Sequence, residues 1–118
     1  MEKFVIELPL SGEYLTTIRL TTGGLCAMAG FDVDTAEDFK VCVTESLLIV
    51  KRNGYVRASV QFTVGETLAC CVSGLEKVNT ETESLENEIS HALLSALLGK
   101  VDFTVDESGS VEKITFEA

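Results

Sequence analysis

The sequence predicts an α+β fold, a two-layer sandwich in which three helices lie on one face of a mixed or antiparallel sheet. The first observation is a helical repeat between residues 34 and 52, where apolar side chains recur at steps of three and four. The second is the alternation of polar and apolar residues from Tyr55 to Val64. The third is the succession of predicted elements along the chain, which is β-α-α-β-β-α-β-β.

The first part of the chain predicts one strand and one helix. Residues from Lys3 to Leu8 alternate in polarity, as a strand does. Ser11 can cap a helix that begins at Gly12, and its predicted buried side comprises Tyr14, Leu15, Ile18, Leu25, Cys26 and Met28. Within this helix Gly23-Gly24 costs roughly 1 kcal/mol per glycine relative to alanine. We therefore expect a local irregularity or a close backbone contact there.

The central helix organises the chain. Asp34 can cap it, with Glu37 completing a capping box, and Asn53-Gly54 ends it because both residues readily take positive φ. Its core-facing stripe comprises Ala36, Phe39, Val43, Leu47 and Val50. Val41, Leu48 and Ile49 lie off that stripe, with Glu45 one turn before Ile49. A second surface of this helix must therefore be covered by a ligand, a partner or more of the fold.

The second half predicts two hairpins separated by a helix. The strand from Tyr55 to Val64 has one polar face and turns at Gly65-Glu66 into a partner from Thr67 to Val72. Residues from Ser73 to Thr82 are predicted to be a polar loop. A third helix, Glu83 to Leu98, is predicted to turn Leu85, Ile89, Ala92, Leu93, Ala96 and Leu97 inward. A closing hairpin pairs Lys100 to Val105 with Val111 to Phe116 around the turn at residues 106–109.

Composition narrows the class of protein. The 118 residues predict one domain, residues 1–118, with 46% apolar and 24% charged side chains. The formal net charge of −10 argues against nucleic acid, whose phosphates demand lysine and arginine, and favours a basic or locally neutral partner. No apolar run approaches the roughly 20 residues that a membrane span needs. The N-terminus has no signal-peptide pattern, so we expect a cytoplasmic protein.

The cysteines and the histidine predict no metal or redox centre. Cys26, Cys42, Cys70 and Cys71 have no metal-ligand spacing, and the last two point to opposite faces of a strand. We interpret all four as buried reduced thiols rather than as a disulfide or redox pair. His91 is the only histidine in the sequence, which excludes a site with several histidines, and we expect a surface or half-buried side chain.

The region from Tyr14 to Tyr55 resembles the anti-sigma-factor serine kinases of the GHKL ATPase superfamily. The residues that match are Ala29-Gly30-Phe31, Glu37-Asp38, Lys40, Val43, Glu45 and Gly54-Tyr55. The resemblance implies a histidine kinase-like ATPase (Bergerat) fold. It also implies that Glu45 occupies the position of the general base, that Mg-ATP binds near it, and that members commonly dimerise.

Three departures from the family pattern fall on the residues that hold nucleotide. Ile49 occupies the position of the asparagine that binds Mg²⁺, and it offers the metal no oxygen. The segment Val72-Ser73-Gly74-Leu75 lacks the aspartate that reads adenine. The region from Glu76 to Glu83 has no glycine, and its carboxylates would repel a triphosphate.

These departures predict a degenerate member of the family that binds a protein partner without ATP-dependent catalysis or a cofactor. The partner implied by the resemblance is a sigma factor or an anti-anti-sigma antagonist, and a homodimer is expected. Glu45, Ile49, Asn53, Ser73 and Gly74 would line a vestigial ATP pocket without a metal.

Simpler roles and other functions remain open. Glu45 can be an ion-pair partner of Lys51 or Arg52, and Asn53 a helix terminator. The first alternative function is an active Mg-ATP-dependent serine kinase with Glu45 as its base. The second is a small scaffold that self-associates through the strand from Tyr55 to Val64.

Overall fold

The computed structural model describes residues 2–78, 92, 94, 96 and 101–118. Its strands and helices are, in chain order, β1 (Glu2–Pro9), α1 (Gly12–Met28), α2 (Val33–Arg52), β2 (Tyr55–Val64), β3 (Leu68–Lys77), β4 (Val101–Val105) and β5 (Val111–Glu117). The α+β class is confirmed, with one five-stranded sheet and two helices among these elements. The predicted third helix, Glu83 to Leu98, lies largely outside the described residues, and so does His91.

Every described strand pair is antiparallel, and the sheet order is β1-β2-β3-β5-β4. Strands β1 and β4 are therefore the two edges of the described sheet. Strand β2 lies between β1 and β3, so both of its edges are already hydrogen-bonded. Self-association by adding a strand to β2 is excluded, and only its polar face remains open to a partner.

Helix α2 packs against β2, β3 and β5, and α1 packs against α2. The sheet side of this core comprises Ala58, Val60, Phe62, Cys70, Val72, Ile114 and Phe116, all buried. Phe39 of α2 makes edge-to-face ring contacts with Phe31 and Phe116, at centroid distances of 5.8 and 5.3 Å. The predicted stripe of α2 is confirmed, since Phe39, Val43, Leu47 and Val50 are fully buried and Ala36 partly so.

The N-cap of helix α2 lies two residues before the predicted one. Asp32 is the N-cap, and its carboxylate accepts a hydrogen bond from the backbone N–H of Thr35 at 2.7 Å. The capping box predicted for Asp34 and Glu37 is therefore wrong, and Glu37 instead pairs with Lys40 at 2.6 Å. The predicted end of the helix is confirmed, with Asn53 at its C-cap and Gly54 at φ 98°.

Helix α1 runs through Gly23-Gly24 without interruption, so the predicted irregularity is wrong. The close-contact alternative holds only in mild form, because a Cβ at Gly23 would meet the Lys40 side chain at 3.6 Å, an ordinary contact distance. Ile18, Leu25 and Cys26 are buried as predicted. Tyr14 and Met28 were predicted to be buried but are 44% and 68% exposed, because α1 packs on α2 along a narrow stripe.

Two further predictions are wrong, one about the length of a strand and one about the side chains of the third helix. Strand β3 continues to Lys77, so the start of the predicted polar loop, from Ser73, is strand paired with β2. In the third predicted helix, Ala92 and Ala96 are exposed, whereas Leu94, which was not assigned inward, is fully buried. Leucine removes more apolar surface from water than alanine, so its burial decides which side faces the core.

The prediction of buried reduced cysteines is confirmed except for the burial of Cys71. All four are free thiols, with Cys26, Cys42 and Cys70 buried and Cys71 half-buried on the other face of β3. Burial raises the pKa of the Cys42 thiol to about 12, which keeps it protonated at neutral pH. Within the part of the chain that the structure describes, neither helix has the length and apolarity required to span a membrane.

Candidate functional site

The second half of α2 carries three residues of the predicted site on successive turns. Glu45 is half-buried. Ile49 is fully buried within the hydrophobic core. Asn53 is buried at the C-terminal end of the helix. The family pattern has a metal-binding asparagine at position 49. This chain has an isoleucine there, and its hydrocarbon side chain has no exposed surface.

Asn53 joins the C-terminal end of α2 to the first residue of β5. Its side-chain amide donates to the Ile49 carbonyl at 2.7 Å, and its Oδ1 accepts from the backbone N–H of Val111 at 2.9 Å. The amide nitrogen thus closes the last turn of the helix, and the amide oxygen ties the helix C-terminus to β5. The interpretation of Asn53 as a helix terminator is correct, and the structure adds the tie to β5.

Ser73 and Gly74, the remaining predicted site residues, lie on opposite faces of β3. Ser73 is on the open face of the sheet, with its hydroxyl 3.8 Å from the Cys71 sulfur. Gly74 faces the helices, and the Tyr55 ring lies directly against it, since a Cβ built on Gly74 would be 2.4 Å from Tyr55 Cγ. The structure therefore brings Gly74 to the end of α2 but not Ser73.

Tyr55 reaches the helix side through an irregularity in strand pairing. The register between β2 and β3 shifts on either side of Arg57, close to the start of β2. A bulge changes the face to which neighbouring side chains point. Tyr55, predicted to be on the polar face, is 6% exposed and belongs to the core.

Tyr55 also takes part in a polar cluster that the sequence did not predict. Its hydroxyl donates to Asp106 Oδ2 at 2.8 Å, and Lys77 Nζ donates to the same oxygen at 2.9 Å. Lys77 Nζ additionally donates to Ser108 Oγ and to Ser110 Oγ, at 2.5 and 2.8 Å. We call these five residues the Asp106 cluster.

The other oxygen of Asp106 organises the β4–β5 turn. Oδ1 accepts from the backbone N–H groups of Ser108 and Ser110, at 2.9 and 3.0 Å. An aspartate that accepts a hydrogen bond from the backbone N–H two residues later is typical of such turns. The spacing of Asp106 and Ser108 is therefore the sequence signal that could have predicted this part of the cluster. The contribution of Lys77 to the cluster was not predicted because this residue was assigned to a loop.

The cluster is a set of fixed charges rather than a poised acid or base. Hydrogen bonds from Ser108, Lys77 and Tyr55 hold the pKa of the Asp106 carboxyl well below its usual range. Burial, followed by the Asp106 carboxylate, raises the pKa of the Tyr55 hydroxyl. Both groups therefore keep one protonation state across the neutral range.

Tyr55 also lines a cleft of about 330 Å³. Its walls include Leu10, Lys51, Arg52 and Val78. None of Glu45, Ile49, Ser73 and Gly74 lines it. This cleft is therefore distinct from the vestigial pocket predicted from the family pattern.

The fold and the site together indicate the class of protein. A sheet with α2 across one face, and an acidic residue one turn before the nucleotide-site position, is compatible with a GHKL-like fold. The comparisons then identify the relatives. No family model matches the chain.

The relatives are serine-protein kinases named RsbW. The chain is 29% identical over 100 residues to the one from Bacillus cereus (strain G9842), which covers 85% of this chain and 58% of that protein. It is 28% identical over 89 residues to the one from Bacillus mycoides (strain KBAB4), covering 75% and 51%. The resemblance to the anti-sigma-factor serine kinases is thereby confirmed. The chain spans about half the length of the curated relatives it matches.

Proposed function

We propose that this chain is a non-catalytic regulator that retains the scaffold of an anti-sigma kinase and binds a protein partner. The partner is a sigma factor or an anti-anti-sigma antagonist, and the chain acts as a cytoplasmic homodimer. The proposal rests on the relationship to the RsbW kinases combined with an altered nucleotide site. Its central observation is the fully buried Ile49 side chain.

The residues present do not fit Mg-ATP. Magnesium requires near-octahedral oxygen coordination, and Ile49 provides no side-chain oxygen. Exposing a buried isoleucine to make room would cost roughly 1.5–3 kcal/mol. The Tyr55 ring lies against Gly74, in the segment that corresponds to the adenine-reading box. Both features support a site filled by the protein's own side chains, without a cofactor.

Titration with Mg-ATP tests the absence of nucleotide binding. We expect no binding tighter than about 100 μM, a free energy of about −5.5 kcal/mol, by calorimetry or by a shift in melting temperature. An active kinase of the same family serves as the positive control under identical conditions. Saturable binding below that concentration would overturn the non-catalytic proposal.

An active Mg-ATP-dependent serine kinase is the second candidate, favoured by the retention of Glu45 and by the kinase names of the relatives. The two functions differ in the effect of Glu45→Gln. In an active kinase this substitution removes the proposed base and with it phosphate transfer to the antagonist. In the function proposed here it leaves partner binding unchanged, as measured by calorimetry with purified sigma factor and antagonist.

A further inference from the structure

The cleft lined by Tyr55 forms where four segments of the chain meet. These segments are the connection from β1 to α1, the end of α2, the start of β2 and the residue that follows β3. Leu10 and Tyr55, two of the lining residues, are each 6% exposed, whereas Val78 is 70% exposed. The cleft therefore offers apolar surface that belongs partly to the core and partly to the outside of the molecule.

The charge of this cleft is opposite to that of the whole chain. Lys51 and Arg52 line it, and none of its lining residues is acidic, although the sequence has 19 acidic and nine basic residues. Arg52 is half-buried and has an interaction of its own within the chain. Lys51 is exposed, and within the described residues no ion pair of Lys51 is found. The cleft is therefore a cationic position on an acidic protein.

Backbone groups at the cleft are already paired with one another. The N–H of Leu10 donates to the carbonyl of Val56, and the N–H of Val78 donates to the carbonyl of Gly54, both at 2.9 Å. A peptide that adds to a sheet as an extra strand needs unpaired backbone groups. Recognition in this cleft therefore depends on side chains. Its volume of about 330 Å³ lies at the lower end of the range of about 300–1,000 Å³ for small-molecule sites, which favours a compact ligand.

Two adjacent cations beside apolar walls fit an anion with an apolar body. A phosphate monoester carries close to two negative charges at neutral pH, which matches Lys51 and Arg52 in number. The guanidinium fork of arginine pairs with phosphate oxygens, and the lysine ammonium adds a second positive charge. Leu10, Val78 and the ring of Tyr55 supply apolar surface for the rest of the molecule.

We propose that this cleft binds a small organic phosphate, a phosphate monoester with a compact apolar or aromatic body, and that Lys51 and Arg52 hold its phosphate group. The site is separate from the vestigial ATP pocket, because none of the five residues predicted to line that pocket lines the cleft. Ligand binding here is a further function of the chain. It does not depend on the identity of the protein partner or on the absence of catalysis.

Phenyl phosphate is the probe that tests the site, and phenol and inorganic phosphate represent its body and its head alone. By calorimetry at low ionic strength we expect phenyl phosphate to bind one site per chain with a dissociation constant below about 1 mM. Phenol and inorganic phosphate should each bind at least about tenfold more weakly. Equal binding of inorganic phosphate and phenyl phosphate, or no saturable binding of phenyl phosphate up to about 10 mM, would overturn the proposal.

Substitutions test the cations and the apolar wall separately. Lys51→Gln and Arg52→Gln should each weaken binding of phenyl phosphate at least about fivefold, whereas Lys113→Gln, which removes an exposed cation from the open face of the sheet, should leave it unchanged. Val78→Ser should weaken binding about threefold, and Val33→Ser, at the opposite end of α2, should not. The two valines are 70% and 78% exposed, so neither replacement disturbs the core. Equal effects of the cleft variants and their controls would contradict the site.

Amide chemical shifts locate the bound probe. We expect phenyl phosphate to move the NMR signals of Leu10, Gly54 and Val56 and to leave those of Glu45 and Gly74 in place. Shifts centred on Glu45 and Gly74 would put the probe in the vestigial pocket and overturn the proposal. A Mg-ATP titration followed in the same way separates this proposal from the non-catalytic function, because each site reports through its own amides.

A segment of a protein is the competing occupant of the cleft. A heptapeptide with adjacent glutamate and phenylalanine residues represents it, and we expect this peptide to bind more weakly than phenyl phosphate. Tighter binding of the peptide at the same amides would overturn the small-molecule proposal.

Lys51→Arg separates binding from helix stability, since basic residues in the last turn of α2 also offset the helix dipole. This variant keeps the charge and should bind phenyl phosphate within about threefold of the wild type. Melting temperatures of all variants distinguish lost binding from lost folding. Loss of binding by Lys51→Gln that is matched by Lys51→Arg, at unchanged melting temperature, would contradict the role of the positive charge.

Discussion

At the scale of single residues, Gly74 is packed against the Tyr55 ring with no room for a side chain. A Cβ at position 74 would lie 2.4 Å from Tyr55 Cγ, so Gly74→Ala must displace the ring and with it the hydroxyl bond to Asp106. We expect a loss of about 1–3 kcal/mol in the free energy of unfolding, as for other overpacked positions. Urea denaturation measures it.

Gly24→Ala is the matched control for that substitution. Nothing lies within 4 Å of the position that its Cβ would occupy in α1, so we expect stabilisation by about 0.5–1 kcal/mol.

In a Tyr55→Ala background the cost of Gly74→Ala should fall, since the clash is gone. An equal cost in both backgrounds would refute the assigned contact.

The Asp106 cluster predicts a dependence of stability on pH. The pKa of the Asp106 carboxyl is lowered in the folded state, so the unfolded chain takes up its proton first as the pH falls. Stabilisation by Asp106 is therefore full above about pH 5 and declines as the pH falls through the usual aspartate range and below. The difference in unfolding free energy between wild type and Asp106→Asn should shrink correspondingly.

Glu107→Gln provides the control for this pH dependence. It removes a carboxylate from an exposed position in the same turn, and we expect its small effect to be nearly independent of pH. Chemical denaturation at several pH values from 2.5 to 7 provides the measurement. A gap between wild type and Asp106→Asn that stays constant over that range contradicts the role assigned to the carboxylate.

At the scale of elements, the start of α2 depends on Asp32 rather than on the predicted cap Asp34. Asp32 accepts the Thr35 N–H, and this bond lowers the pKa of its carboxyl. Asp32→Ala should therefore lower the urea midpoint, whereas Asp34→Ala should leave it nearly unchanged. Equal effects of the two substitutions would mean that the cap bond contributes no stability.

The cap illustrates which parts of the fold the sequence could predict. Strand β2 and the end of α2 were predicted correctly, since alternation and the Asn53-Gly54 terminator act locally. The start of α2 was not, because Asp32 and Asp34 both satisfy the capping preference. The extension of β3 beyond Ser73 was missed because pairing with β2, rather than local hydrophobicity, makes that segment a strand.

At the scale of the whole molecule, the candidate site was predictable only where it follows one helix. Glu45, Ile49 and Asn53 are fixed relative to one another by helical geometry. The placement of Tyr55 against Gly74 depends on the register shift around Arg57. The Asp106 cluster joins positions that no periodic pattern relates, and its formation needs the folded sheet.

The packing of α1 predicts that it is the least stable described element. Only four of its 17 residues are buried, and it packs mainly on α2, so it can open without disrupting the sheet. We expect its amides to exchange with solvent deuterium at a lower opening free energy than central amides of β2 and β3. Native-state exchange in increasing urea, followed by NMR, measures both.

Gly24→Ala makes this last prediction specific. By favouring the helix it should slow exchange within α1 several-fold, by about 0.5–1 kcal/mol of opening free energy, if local opening governs that exchange. Amides of β2 and β3 report the global transition and should shift only by the change in total stability. If α1 amides in the wild type exchange only with global unfolding, α1 is not a separate opening unit, because its contacts with α2 are then as cooperative as the sheet itself.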